Sequence, residues 1–254
     1  EIIKFMKFLN SNAIIRLASI ILFFLIWQVA SSFVNIDLLP SPKNVFIKLN
    51  EEALSNELFF HTSITLKRVF LSFLIAMLIG TFFGIYMGRN SKANIFLDDW
   101  LVLGLNVPAL VIIILCYVWF GLNELAAILA VSLNKIPMVA VIMREGARSI
   151  EKDFLEVAQF YKVPKKRLFF KIFLPQLYPY LISSARSGLS LIWKIVLVVE
   201  LLGRSNGVGF KLYGFFQFFD ISGILAYTLT FVLLIIFVEF LLVRPFEKKI
   251  SVWK

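Results

Sequence analysis

Long apolar runs separated by short charged clusters constrain this chain more than any other feature of its sequence. A helix of about 20 apolar residues is long enough to cross the hydrocarbon core of a bilayer. The runs show no alternation of polar and apolar residues at a period of two, which the strands of a membrane β-barrel would need. The chain is also 60% hydrophobic and only 17% charged, which is more apolar than a water-soluble domain. We therefore predict an all-α, polytopic membrane protein.

Six apolar runs predict six transmembrane helices, which we assign to a single transmembrane domain over residues 1–254. The first run could also be a cleaved signal peptide, but it exceeds the roughly 7–15 apolar residues of such a segment, which favours a retained span. After Pro40 an amphipathic stretch, with Ser41 as N-cap and Pro42 in the first turn, predicts a helix on the membrane surface. The predicted spans are 13–34, 63–87, 97–120, 125–143, 177–202 and 221–243, the surface helix is 42–60, and the remaining long loop is 144–175.

The distribution of basic residues predicts the orientation of the spans. The chain carries 26 Lys and Arg against 16 Asp and Glu, a formal charge of +10. With both termini on one side, that side collects most of the cations, and the opposite side receives Lys43, Lys48, Arg204 and Lys211. The positive-inside rule then makes the first side cytoplasmic, with both termini inside. Because the basic balance is explained by orientation in a lipid membrane, we expect no nucleic-acid partner.

The rare residues and short motifs exclude several kinds of site. His61 is the only histidine and Cys116 the only cysteine, so disulfide frameworks and multi-ligand His/Cys metal centres are excluded. Without a nucleophile motif, a membrane-embedded enzyme is disfavoured as well. Gly203, Gly207 and Gly209 lack the phosphate-loop pattern and predict a turn. We expect His61 to be an interfacial residue, and we expect no metal or cofactor on this chain.

The 144–175 loop has the pattern of two short amphipathic helices. Residues 149–161, beginning with a serine as cap, suit a first helix. Proline disfavours a helical conformation in the residue before it, so Val163–Pro164 predicts a break. Residues 165–173 suit a second helix, which we expect to end at Leu174–Pro175. The two helices would form a compact knob with a basic exterior; the alternative is a basic surface segment resting on anionic lipid.

The spacing within this loop resembles the EAA loop of binding-protein-dependent ABC importer permeases. The family pattern is E-A-A, three residues, G, nine residues, I, one residue and L-P, and the loop keeps that spacing throughout. It departs from the pattern where Val157 replaces the first alanine and Lys162 replaces the glycine of the bend, a position where glycine tolerates a positive φ. The positions that carry the resemblance are Glu156, Val157, Ala158, Lys162, Ile172, Leu174 and Pro175.

Three further stretches are similar to the same family. Residues 61–89 resemble its second span, 106–121 its proline-containing third span, and 174–210 the segment from the loop through the fifth span. The first stretch has glycine at every fourth position from Gly80 to Gly88, a register that lets another helix approach closely. The similarity is closest to the branch for nitrate, taurine, aliphatic sulfonates and pyrimidine precursors. It implies the all-α fold of type I ABC importers.

The resemblance implies a permease subunit of an ATP-driven importer that carries out no chemical reaction itself. In that family the EAA loop is a coupling helix that docks into a cytoplasmic ATPase, which binds the ATP. A second copy of the chain, two ATPase subunits and an extracytoplasmic substrate-binding protein would complete a transporter in the bacterial inner membrane, with the path on the two-fold axis of the homodimer. The residues expected to couple to the ATPase are Glu156, Val157, Ala158, Lys162, Val163, Pro164, Lys165, Leu174 and Pro175.

Polar residues inside the predicted spans are candidates for the translocation path, because such residues usually face a partner or a cavity. We hypothesise that Arg186, Lys194 or Lys135 lends positive potential to a path for an anionic solute. The alternative is that these side chains snorkel, or pair with a glutamate such as Glu200 or Glu239. The path candidates are Asn106, Pro108, Asn134, Lys135, Arg186, Lys194 and Glu200.

An ion-coupled secondary transporter using Lys135 or Glu200 is the alternative function. Such transporters more often show internal repeats, and they need no cytoplasmic knob. Within the importer hypothesis the substrate stays open. The resemblance suggests nitrate-like or taurine-like anions, and neutral pyrimidine precursors are the other option.

Overall fold

The computed structural model describes residues 2–34 and 38–243, and this part of the chain is helical, without a strand. The all-α prediction is confirmed. The chain divides into two compact units, Glu1–Phe60 with Lys211–Phe231, and His61–Phe210 with Val232–Lys254. The single domain over 1–254 stays a prediction, and each unit is described by itself.

The helices follow one another with short connections. Two π-helical turns, at Phe169–Phe173 and Glu239–Val243, continue the α-helices that precede them. The α-helices are α1 Ile2–Phe33, α2 Pro42–Leu54, α3 Glu57–Arg89, α4 Ser91–Asn106, α5 Ala109–Phe120, α6 Glu124–Arg148, α7 Lys152–Phe160, α8 Lys165–Leu168, α9 Leu174–Gly203, α10 Val208–Gln217 and α11 Ile221–Val238.

Helix α2 of the first unit begins as its sequence predicts and ends earlier. The Ser41 hydroxyl accepts a hydrogen bond from the Asn44 N–H at 3.4 Å, and Pro42 occupies the first turn. The surface helix predicted over 42–60 ends at Leu54. Asn56 takes a φ of +62°, which an α-helix cannot contain, so the chain turns there before α3.

Four helical segments of the described chain are long and apolar enough to cross a membrane: Ile14–Phe33, Glu57–Arg89, Glu124–Arg148 and Ile221–Leu241. The third predicted span, 97–120, is not one helix, because α4 and α5 meet at a bend of 97°.

The bend lies at Val107–Pro108. Pro108 has no N–H to continue the helix, and Val107 before it is extended, with φ −68° and ψ 123°. The remaining predicted span, 177–202, lies in α9, which carries three charged residues and falls outside the apolar set. The count of six spans stays a prediction.

The glycines of α3 lie directly against α6 in the second unit, which confirms the predicted close approach. A Cβ atom added to Gly80 would lie 2.6 Å from the Cβ of Val139. One added to Gly88 would lie 2.6 Å from the Cβ of Ala147. Only a residue without a side chain allows two helix backbones to come this near.

Candidate functional site

The predicted knob is present between α6 and α9, and its bend lies at Lys162. Lys162 adopts a φ of +50°, the left-handed conformation that glycine takes most readily. The Val163 N–H donates to the Ala158 carbonyl at 2.9 Å. This bond closes α7 in the manner of a Schellman motif, in which a left-handed residue follows the last helical turn. Lysine therefore makes the bend that the family pattern assigns to glycine.

Two expectations about the limits of the knob helices are wrong. Ser149 ends α6, with its N–H bonded to the Glu145 carbonyl at 3.0 Å, and α7 begins only at Lys152. Pro175 does not end the second helix, because α8 continues through the π-helical turn into α9. Pro175 sits in the first turn of α9, where a missing N–H is tolerated, and the wider turn before it accommodates the proline ring.

The inner side of the knob is anchored by apolar contacts. Phe173 is only 2% exposed, and the Arg89 guanidinium lies 4.8 Å from the centre of its ring, a cation–π contact. The cluster of buried residues that joins the knob to α6 and α9 comprises Val139, Met143, Ala147, Ile150, Phe173 and Leu177.

The outer side of the knob presents apolar and aromatic groups to solvent. Phe160 is 82% exposed and Tyr161 74% exposed, with ring centres 5.5 Å apart. Val157 is 55% exposed, whereas Ala158 is buried at 3%. Around this patch the exposed polar residues are Glu156, Lys162, Lys165, Lys166 and Arg167.

A second polar feature is an open groove of about 620 Å³ between α9 and the end of α11, which we call the α9 groove. Arg186 and Lys194, two of the path candidates, line it together. The Arg186 Nη2 lies 2.9 Å from the Glu239 Oε1. The pairing with Glu239 is one of the alternatives expected from the sequence. The other polar and aromatic lining groups are Ser187, Ser190, Trp193 and Phe240.

The remaining path candidates lie outside the α9 groove. Lys135 and Asn134 are partly buried on α6. Asn106 is exposed and donates to the Val102 carbonyl at 2.7 Å, and Pro108 marks the bend before α5.

Glu200 is fully buried, at 0% exposure. Its carboxylate is therefore not open to a path in this structure. The ion-coupled alternative, which named Lys135 or Glu200, finds no support.

Glu200 belongs to a polar cluster around the buried Arg68. This cluster lies at the end of α9 farthest from the knob. A guanidinium has five N–H bonds, and Arg68 uses all of them. Its Nε and Nη2 bind the Glu124 carboxylate at 2.9 and 2.5 Å. Its Nη1 binds Glu200 and the Asn206 carbonyl, both at 2.8 Å, and its Nη2 also binds the Asn206 side chain.

Thr65 and two glycines complete the surroundings of Glu200. The Thr65 hydroxyl lies 2.9 Å from both carboxylate oxygens and accepts the Val208 N–H at 2.9 Å. The Gly209 N–H donates to the carboxylate at 2.9 Å. Gly207 has a φ of +106°, and a Cβ there would collide with the Glu200 carboxyl group. The predicted glycine turn therefore wraps around a buried carboxylate.

Sequence reasoning missed Arg68, Thr65 and the contact made by His61. His61 is buried, and its Nδ1 accepts the Gly207 N–H at 2.9 Å. The signal for Arg68 was present, because a charged residue inside a span needs a partner and Glu200 is a carboxylate in another span. In the part of the chain that the structure describes, no group of three or more His, Cys, Asp or Glu side chains could hold a metal.

Comparison with known families identifies one that covers most of the chain. The sequence profile of the family described as "Binding-protein-dependent transport system inner membrane component" matches residues 70–252. This range contains the knob, the α9 groove and the glycines of α3.

Two relatives and one solved structure illustrate the similarity. The "Putative aliphatic sulfonates transport permease protein SsuC" of Bacillus subtilis is 29% identical over 231 residues, 90% of this chain and 83% of the relative. The "Bicarbonate transport system permease protein CmpB" of Synechococcus elongatus is 28% identical over 216 residues, 80% and 77% of the two chains. A structure of the MetNI methionine ABC transporter superposes with a TM-score of 0.63 at 16% identity, over 75% of this chain and 93% of the other. At that identity the superposition speaks for the fold, which is that of type I ABC importer permeases.

Proposed function

The chain belongs to the family of binding-protein-dependent transport system inner membrane components, and we propose that its knob couples solute import to a cytoplasmic ATPase. Like its relatives, it is an ABC importer permease subunit and not an enzyme. In the proposed cycle ATP is bound and hydrolysed by the separate ATPase. The knob follows the closing of the ATPase pair, and the membrane helices alternate between inward- and outward-facing states.

The exposed aromatic pair Phe160–Tyr161 is the observation that carries the coupling proposal. Aromatic side chains that project this far into water are typical of the anchors of protein interfaces. The pair lies beside the Lys162 bend, within the spacing of the EAA pattern. Because Phe173 attaches the knob firmly to the helix core, a displacement of the Phe160–Tyr161 pair is transmitted to α6 and α9. A loop resting on lipid would not need a Schellman-type bend anchored to the helix core.

The other components follow from the mechanism of such an importer. We propose a second copy of this chain, related by a two-fold axis, two ATPase subunits and an extracytoplasmic binding protein that delivers the solute. The excess of basic residues on the knob side supports placing that side and both termini in the cytoplasm of a bacterial inner membrane. The relatives named for aliphatic sulfonates and bicarbonate support an anionic solute.

Co-purification with the ATPase of the same operon tests the proposal. We expect the wild-type chain to retain the ATPase on an affinity column, and the Phe160→Ala/Tyr161→Ala double variant to weaken the complex by at least about tenfold, as loss of interface anchors does. Reversing the charge at Glu156 with Glu156→Lys should weaken the complex as well.

Phe218→Ala is the matched control, because Phe218 is 84% exposed and lies outside the knob. It should leave the complex unchanged. If the double variant binds the ATPase as tightly as the control does, the knob is not the coupling element. A wild-type chain that never retains the ATPase would contradict the proposed function as a whole.

A further inference from the structure

The α9 groove contains an ion pair that the surrounding protein leaves open. In the Arg186–Glu239 pair the arginine side chain is 48% exposed and the glutamate side chain 31% exposed. Along a water-filled path such ion pairs are held weakly, because each partner can exchange the other for solvent or for another ion. The groove therefore holds an arginine whose carboxylate partner can be replaced.

The charges that line the groove do not cancel. Arg186 and Lys194 contribute +2 and Glu239 contributes −1, which leaves +1 among the lining residues. Lys194 is exposed and has no ion-pair partner within residues 38–243. An uncompensated positive charge in a cleft attracts an anion. One monovalent anion would neutralise the groove.

We propose that the α9 groove is an exchangeable binding site for a small monovalent oxyanion, in which the Glu239 carboxylate holds Arg186 until the oxyanion replaces it. The inference rests on the proposed function, since the occupant is the imported solute. The 2.9 Å contact to a Glu239 oxygen shows that the guanidinium can bind an oxyanion at this place. A sulfonate or a bicarbonate presents oxygens of the same kind to an arginine.

The order of polar residues along α9 suits a solute that moves. Arg186, Ser190 and Lys194 follow one another at intervals of four residues, so each lies about 6 Å farther along the helix and about 40° around it. An anion that enters from the side opposite the knob meets the Lys194 ammonium, then a hydroxyl and then Arg186 within about 12 Å. Several moderate sites in a row favour passage over tight retention. The Trp193 ring in the same lining offers an apolar surface for an alkyl group.

Binding of ³⁵S-labelled ethanesulfonate to the full-length chain in lipid nanodiscs tests the site. We expect saturable binding that unlabelled ethanesulfonate or bicarbonate displaces. Ethanesulfonamide, which has nearly the same shape but no charge, should displace the label at least about tenfold less well, since a charge-assisted hydrogen bond is lost. Absence of saturable binding, or equal displacement by the sulfonamide, would overturn the proposal.

Three variants distinguish an exchangeable pair from a purely structural one. Arg186→Gln should weaken ethanesulfonate binding by about tenfold, whereas Glu239→Gln should strengthen it severalfold because the competing carboxylate is gone. Arg148→Gln is the matched control, because Arg148 is 41% exposed and also pairs with a glutamate, Glu145, at 3.2 Å; it should leave binding unchanged. Unchanged or weaker binding in Glu239→Gln would refute the exchange.

The measurement separates this inference from the importer proposal. It is made on the permease alone, so it can be read whether or not the ATPase co-purifies. If the ATPase complex forms but Glu239→Gln does not strengthen binding, only the groove inference fails. If groove binding follows the prediction but no ATPase is retained, only the coupling proposal fails.

Discussion

The second unit contains two arginine–glutamate pairs whose surroundings are opposite. In the Arg68–Glu200 pair the side chains are 3% and 0% exposed, and all five N–H bonds of the arginine are used. In the Arg186–Glu239 pair the side chains are 48% and 31% exposed, and the pair lines an open groove. Both pairs join residues of different helices, and their contact distances, 2.8 and 2.9 Å, are nearly the same.

The difference teaches that burial, and not the contact itself, decides what such a pair does. A buried charge that loses its partner has no water to replace that partner. The Arg68 cluster therefore holds the start of α6 and the end of α9 to α3. An exposed pair loses little when it opens, which is why we propose that Arg186 exchanges its partner. Four changes test this contrast, and we expect their effects on stability to decrease in the order given below.

The largest effect is expected from removing Arg68. Arg68→Met leaves the buried Glu200 carboxylate without its cation, which lowers the free energy of unfolding by about 3–5 kcal/mol. Arg68→Met/Glu200→Met removes both charges and should recover much of that loss. Thermal unfolding of the purified chain in detergent measures both. Equal destabilisation by the single and the double variant would show that the charge pairing is not the source of the effect.

A smaller loss is expected when the Arg68 cluster is disturbed from the backbone side. Gly207→Ala places a methyl group against the Glu200 carboxyl group and puts a side chain at a φ of +106°. Strain of this kind lowers stability by about 1–3 kcal/mol. Gly214→Ala is the control, since a Cβ there meets nothing within 4 Å. If the Gly207→Ala protein unfolds at the same temperature as the control, the close packing of Gly207 against Glu200 is contradicted.

Loss of one hydroxyl should come next. Thr65→Val keeps the shape of the side chain but leaves the Val208 N–H without its acceptor, at a loss of about 1–2 kcal/mol. Thr65→Ser retains the hydroxyl and should stay closer to wild type. Thermal unfolding of the two variants gives the comparison. The prediction is wrong if Thr65→Ser lowers the unfolding temperature more than Thr65→Val does.

The smallest effect is expected in the groove. Arg186→Gln and Glu239→Gln should each change the free energy of unfolding by no more than about 1 kcal/mol, as surface ion pairs do. The same melting assay applies. A loss as large as that of Arg68→Met would mean that the groove pair is structural, and the contrast between the two pairs would disappear.

Much of the fold and of the knob was predictable because the signals are local. Apolar runs and the capping residues of α2 are read from neighbouring positions, and the EAA spacing is complete within one loop. The left-handed conformation of Lys162 was not decided by the sequence, because the family pattern places glycine there whereas Val163–Pro164 could have supplied the turn. The ends of the knob helices were not predictable, since Ser149 suits a cap at either end of a helix and Pro175 suits a first turn.

The partners of the charged residues were beyond local reasoning. Arg68 and Glu200 are 132 residues apart, and several arginines and lysines could have paired with that carboxylate. The sequence by itself determined an all-helical membrane protein and the position of the knob, because each depends on composition or on short spacing. Only the tertiary structure decided that Glu200 is buried and paired with Arg68, while Arg186 lines an open groove. The physical reason is that the packing of distant helices sets how far each charge lies from water.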